Sequence, residues 1–414
     1  MSLIKPLRGL RPVDGRSADV VAPPYDVVDR AEAKALAKQR PWSFLHISRP
    51  EIDLPDSTDP YDPAVYAKGR ENLDRMIAEG VLVRDESPCY YAYRLTMGVH
   101  VQTGIVAAAS VEAYDQGRIK KHEFTRPVKE DDRVRQIDTL NAQTGPVFLV
   151  YRADPVVDGL LREVSASPAD VDVTAERDGV RHEIWKIAGK DEIVTLTAAF
   201  DAMPAIYVAD GHHRSAAGSR VGNARRQANP AHTGEESYNY FLSVIFPHDQ
   251  MQILDYNRVV RDLNGYGVVD FLTKVGAAFD VEARGEAFKP TRSGEFGMYL
   301  AGQWYRLAIK NGRIPADDPV ARLDVSLLQD NLIEPVLDIS DPRRDDRIDF
   351  VGGIRGMEGL QKRVDSGDWA VAFALYPTGM HALMDVADAG EVMPPKSTWF
   401  EPKLADGLIS HVLD

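Results

Sequence analysis

The sequence predicts an α+β fold built as two units, residues 1–250 and residues 251–414. Three observations predict it. Amphipathic helical runs and apolar strand-like runs occur interspersed along the same chain. At 414 residues with 44% hydrophobic and 27% charged positions, the composition is that of a globular protein long enough for two or three domains. From Met251 onward the pattern opens afresh as a mixed α and β unit, although no linker marks the boundary.

In order along the chain, VAPPYDVV (21–28) holds two prolines, which fix φ and exclude a helix. DRAEAKALAKQ is rich in helix formers, and Pro41 stops it. WSFLHISRP reads as a short strand and SRPEIDLPDSTDPYDP as a loop. In DPAVYAKGRENLDRMIAEGVL, Val65, Leu73, Met76 and Ile77 recur at helical spacing, with Gly80 placed to end the helix. CYYAYRLT and VQTGIVAAASVEAY read as paired strands around Gly98. GRIKKHEFTRPVKEDDRVRQIDTL is strongly charged, with helical spacing in its second half, and NAQTGPVFLVY returns to a buried strand. A helix and a hairpin with an Asp-Gly turn occupy 156–190, then a helix near 197–203. AIYVADGHHRSAAGSRVGNARRQ reads as strand, tight turn and helix. The second unit ends in a helix-like tail.

Lys and Arg number 49 against 63 Asp and Glu, a formal charge of −14. That excess speaks against a nucleic-acid partner, which needs a basic face, but not against a small phosphate ligand in a local basic pocket. The single cysteine, Cys89, excludes an internal disulfide and fits a reducing compartment. The N-terminal stretch lacks the apolar core of a secretory signal, and no run is long enough to span a bilayer, so a cytoplasmic protein without a membrane partner is expected.

The sharpest chemical feature is Asp210-Gly211-His212-His213-Arg214 between a strand and a helix. A glycine there allows a tight turn and lets a ligand approach the backbone. The free N–H groups and dipole of the helix start favour an anion, and the imidazoles and guanidinium add donors. Arg220, Arg225 and Arg226 follow, a basic island in an acidic chain. The bland alternative is an Asp210 helix cap with exposed histidines. His212 and His213, being adjacent, do not form the i, i+4 pair that grips one metal ion.

A second feature, 120–133, combines a candidate base, Glu123 or His122, with the cations Lys121, Arg126, Lys129 and Arg133. Base catalysis needs such a group within reach of a hydroxyl, and phosphoryl transfer needs charge neutralisation. A solvated helix laced with ion pairs explains most of these residues equally well. A third feature, 393–404, frames Lys396, Ser397 and Thr398 with prolines, either as an anion contact or as a rigid connector. Pro23-Pro24-Tyr25-Asp26 is ambiguous in the same way. No P-loop, H-E-x-x-H or G-x-S-x-G occurs, and Gly352-Gly353-Ile354-Arg355-Gly356 reads as a turn.

PPYDVV, KHEFTRP with KEDDR, NAQTGPVFLVY, ADGHHR and PPKSTWFEPKL, in that order, resemble a bacterial and archaeal family of unknown function, number ten-fifteen of its series. The DGHHR segment also resembles the nucleotide-binding motif of the ParB and sulfiredoxin-like superfamily, which includes free serine kinases. That second resemblance implies a nucleotide-binding core in residues 1–250. Asp210, Gly211, His212, His213 and Arg214 would hold ATP or ADP, with Asp210 positioning Mg2+. Glu123 would be the base, and Lys129 and Arg133 would stabilise the transferring group. The acceptor implied is a small polar metabolite, free L-serine first. A homodimer is a separate expectation, and the sequence does not fix the oligomeric state. A sulfiredoxin-type reductase needs a cysteine inside the motif, where this chain has histidine. A ParB-type partition protein needs a DNA-binding domain, against which the charge argues. The competing expectation is a nucleotide-sensing regulatory protein without turnover.

Overall fold

The computed structural model describes residues 2–414. It divides into two compact units, one of Met1–Met251 with Pro402–Asp414, the other Gln252–Glu401.

The first unit is built on a mixed nine-stranded sheet. Its path runs Ile119–Lys120, Ile206–Asp210, Val147–Tyr151, Tyr240–Pro247, His100–Ser110, Tyr90–Met97, Arg181–Ile187 and Val171–Thr174, with Ile4–Lys5 pairing off this path against His100–Ser110. The long central hairpin forms where expected: Tyr90–Met97 pairs antiparallel with His100–Ser110, and Gly98 takes φ 59° at the turn. Gly104 is required by packing, because a Cβ there would stand 2.6 Å from the Ile245 carbonyl oxygen. The helices Pro155–Val164 and Lys190–Ala202 cover one side of the core through Val157, Leu161, Leu196 and Phe200, all buried. The Asp178-Gly179 turn also falls between two paired strands, with Gly179 at φ 70°.

The helix Pro63–Ala78 starts where its pattern predicts. Asp62 caps it by accepting the Ala64 N–H at 2.8 Å, and Gly80 follows its end at φ 67°. The segment WSFLHISRP differs from expectation. It forms the helix Leu45–Ser48, not a strand. Phe44, Leu45 and Ile47 are all buried, so the segment has no exposed face to alternate with. Its carbonyls are taken instead by side chains: Asn72 Nδ2 donates to the His46 oxygen at 2.7 Å, and Gln136 Nε2 to that of Ile47 at 2.8 Å.

The tail differs as well. The sequence suggested a helix-like end to a domain 251–414, yet Pro402–Asp414 belongs to the first unit and carries the strand Ser410–Val412. That strand pairs with Gly9–Leu10 on one side and Ala142–Gln143 on the other. Gly407 sits at φ 89°, which no helix accommodates, and Leu408, Ile409 and Leu413 bury their side chains.

The second unit is a mixed α and β unit around a six-stranded antiparallel sheet in the order Phe279–Arg284, Gln303–Ile309, Glu295–Leu300, Val371–Leu375, Tyr256–Val260 and Ile348–Gly352. The helix Gly356–Asp365 packs Leu360 against Val259, Tyr299, Trp304 and Trp369. Gly352–Gly356 is a turn between strand and helix, as read from the sequence.

Candidate functional site

The strand Ile206–Asp210 is apolar and buried up to its last residue, so Asp210 is where it emerges. Its pairing with Val147–Tyr151 shifts register between Val208 and Asp210, a bulge just before the turn, with Asp210 still opposite Phe148. Gly211 then turns the chain at φ 96°, and the helix His212–Ala228 begins. The N–H groups of Arg214 and Ser215 fold back to the Gly211 carbonyl at 2.9 and 3.0 Å. Those of His212 and His213 lie in the first turn, where a helix has no internal acceptor for them. The buried face of the helix is small because its neighbours come close. A Cβ on Gly222 would lie 2.5 Å from the Tyr238 carbonyl oxygen, and one on Gly218 3.1 Å from the Phe241 Cβ.

Around this turn the charges are arranged in pairs. Lys403 Nζ donates to Asp210 Oδ2 at 2.9 Å. Burial opposes the charge of Asp210, but the Lys403 ammonium and the Arg214 guanidinium outweigh it and hold the carboxyl well below the usual carboxylate range. Arg214 is itself nearly enclosed: Nη1 donates to the Pro146 oxygen at 2.5 Å, and Nη2 lies 3.6 Å from Asp26 Oδ2. Asp406 is buried beside it, with Oδ1 lacking a hydrogen-bond partner. Burial pushes the Asp406 carboxyl up to about 7, partly offset by Arg214.

His212 is 3% exposed and His122 2%, with ring centroids 4.5 Å apart, edge to face. Burial holds His122 at about 4 and His212 well below the ordinary imidazole range, so both rings are neutral at pH 7. Glu123 Oε2 stands 3.4 Å from His212 Nδ1, a long contact to a neutral ring and no ion pair. His213 faces elsewhere and accepts the Arg126 N–H on Nε2 at 3.0 Å. The structure thus brings His122, Glu123, His212 and His213 to one turn, with Asp210 and Arg214 behind it.

The remaining cations are largely committed. Arg133 bonds Asp132 through Nε and Nη2 at 3.0 and 2.8 Å and stacks 3.8 Å from the Tyr25 ring centroid. Lys129 is exposed, 6.0 Å from the Tyr61 ring centroid. Of the basic island beyond the turn, Arg220 and Arg225 are spent on packing its helix against Pro127–Leu140 and its cap, and Arg226 bonds Asn239 at 3.2 Å. Arg220 pairs with Asp131 at 2.8 Å, and Arg225 bonds Asn141 and Asp138. Lys396, Ser397 and Thr398 belong to the second unit. There Ser397 Oγ donates to the Pro394 oxygen at 2.6 Å and Lys396 Nζ lies 5.5 Å from the Tyr256 ring centroid.

Two cavities share residues with this network, one through Arg214 and Asp406 and the other through Lys403. One of about 30 Å³, room for one water, is lined by Tyr25, Arg133, Gly145, Arg214 and Asp406 among others. The other, about 290 Å³, is lined by Pro23, Pro24, Lys38, Arg177, His182 and Lys403 among others. Asp406 and Lys403 are the residues sequence reading missed. Lys403 stands inside the quoted PPKSTWFEPKL segment, and the two Lys-containing ends of that segment serve different units. Asp406 carried no signal, since a lone Asp in a tail looks exposed.

Fold and site together describe a mixed α+β protein with a strand–turn–helix site at Asp210–Arg214. The chain belongs to the family described as "Protein of unknown function (DUF1015)", whose model matches residues 4–326. No curated protein matches it. Among solved structures, it is similar to a free serine kinase in complex with AMP (13% identity, TM-score 0.37, 75% of this chain and 91% of that one). It is also similar to SbnI with a C-terminal truncation from Staphylococcus aureus (11%, 0.37, 73% and 86%). A conserved hypothetical protein from Pyrococcus furiosus gives 13%, 0.35, 76% and 97%. TM-scores at this level define neither a shared fold nor an activity. Among the described residues, no helix is long and apolar enough to cross a membrane.

Proposed function

We propose that this protein transfers a phosphoryl group from ATP or ADP to the hydroxyl of a small polar metabolite, with free L-serine as the first acceptor to test. The observation that carries the reading is the DGHHR turn itself: Gly211 at φ 96° opens a helix whose first residue, His212, lies 3.4 Å from the carboxylate of Glu123. A nucleotide phosphate fits this turn. The helix start offers N–H groups and a favourable dipole. His213 lines the same start, and Arg214 keeps positive charge beneath it against Asp26 and Asp406. The 290 Å³ cavity, which Lys403 lines, is of the size for a small polar ligand.

Glu123 takes the proton of the acceptor hydroxyl. The hydroxyl oxygen then bonds to the terminal phosphorus as the bond from phosphorus to the bridging oxygen breaks, and the shortened nucleotide leaves. His122, neutral and buried, positions His212 through their edge-to-face contact. Lys129 and Arg133 contribute positive potential to the transferring group. Mg2+ neutralises phosphate charge when bound, with Asp210 as the carboxylate available to it. Asp210 is ionised as such a ligand must be, but Lys403 competes for it.

The test is phosphoserine formation by the purified protein with Mg2+ and ATP or ADP, extended to a panel of amino acids and polyols. Glu123→Gln is expected to lose at least about 100-fold in turnover while keeping nucleotide affinity. Absence of transfer to every acceptor with either donor refutes the reading. Nucleotide binding without transfer would then leave a sensing role.

A further inference from the structure

The donor set beside the turn is chemically wrong for Mg2+, and that mismatch points to a different ion. One ligand atom from each of His122, Glu123 and His212 lies within 4.8 Å of the others. Ligands of a single Zn2+ stand roughly 3.4 Å apart, so a small closure brings the three onto one ion. Glu123 is the half-exposed member of the three.

A second observation is independent of this spacing. His122 Nδ1 and His212 Nε2 are both buried with no hydrogen-bond partner. A buried polar atom left without a partner is destabilising, so two on touching rings call for an occupant. The backbone at Val208 hydrogen-bonds the His122 ring, and with Nδ1 bare the bond falls to Nε2. Anchoring one ring nitrogen on a carbonyl while the other keeps its lone pair is the outer arrangement that metal-binding histidines use. The two histidines arrive on different elements, His122 from the loop before Pro127–Leu140 and His212 from the start of His212–Ala228.

We propose that His122, Glu123 and His212 form a binding site for a divalent transition-metal ion, Zn2+ being the first choice, with a coordination position left open. Two imidazoles and a carboxylate suit Zn2+, whereas Mg2+ takes oxygen ligands and keeps its waters. Three protein ligands with an open fourth position is the pattern of a reactive site. A water or an anion oxygen would complete the shell. This site does not depend on the phosphotransferase reading and in one respect opposes it. With the ion bound, Glu123 is a ligand and cannot act as a base, so Zn2+ would inhibit any Mg2+-supported transfer.

The test uses the full chain, stripped with chelator and free of nucleotide, titrated with ZnCl2 by calorimetry. One ion per chain is expected with a Kd at or below about 1 µM. His122→Ala and His212→Ala should each weaken it by more than about 100-fold, with His213→Ala within about 3-fold of the parent. Circular dichroism checks that each variant is folded. Should the His variants unfold, the visible absorption of Co2+ in the unmodified chain decides, since an intense four-coordinate spectrum is expected. Weak or multiple Zn2+ binding, binding unchanged in folded His122→Ala or His212→Ala, or a pale six-coordinate Co2+ spectrum would each overturn the proposal. Because no nucleotide is present, any of these results leaves the phosphotransferase reading standing.

Discussion

Asp406 makes the stability of the first unit depend on pH in a direction opposite to that of most carboxylates. It is 2% exposed, Oδ1 has no hydrogen-bond partner, and burial pushes its carboxyl from 3.8 to about 7 despite Arg214 close by. The folded state therefore holds the proton more tightly than the unfolded chain does. Stability from this group is fully present below about pH 4, is lost as pH rises toward 7, and levels off beyond. The difference corresponds to at most about 4 kcal/mol, since each tenfold change in acidity is worth about 1.4 kcal/mol. Asp406→Asn keeps the shape and removes the titration. Urea unfolding of parent and variant at pH 5 and pH 8 measures it. The parent should lose at least about 2 kcal/mol more than the variant between the two values. Parallel pH dependences would refute the reasoning, and so would a parent whose stability rises relative to the variant.

Two further predictions concern the turn. Gly211→Ala places a Cβ at φ 96°, 3.2 Å from Arg214 Nε, so a loss of roughly 1–2 kcal/mol in thermal or urea unfolding and weaker nucleotide binding are expected; unchanged values would mean that the helix start tolerates a different backbone. Lys403→Met keeps the aliphatic stem but leaves Asp210 without its 2.9 Å partner. The pair is partly exposed, so the expected loss at pH 7 is about 1–3 kcal/mol, read by urea unfolding.

Much of the molecule is legible from sequence. The Pro63–Ala78 helix announces itself through spacing, an Asp-Pro start and a glycine stop. The hairpin of Tyr90–Met97 and His100–Ser110 does so through its turn glycine, and the DGHHR turn through a glycine caught between an apolar strand and a helix. These are local signals, in which each residue's conformational preference is satisfied by its near neighbours. Leu45–Ser48 and the tail escaped because their conformations depend on partners distant in the chain: Asn72 and Gln136 take up carbonyls of the former, and Gly9–Leu10 and Ala142–Gln143 pair with the latter.

The sequence by itself determined the mixed α+β character, the family resemblance and the residues of the turn, because each is written in contiguous runs. The tertiary structure alone decided which charges are spent and which atoms stand unsatisfied. It ties Arg220 and Arg225 to the neighbouring helix, gives Asp210 to Lys403, encloses Arg214 with Asp26 and Asp406, and sets His122 against His212. Electrostatic fate depends on burial and on distances of a few ångströms across the fold, which residue order does not record.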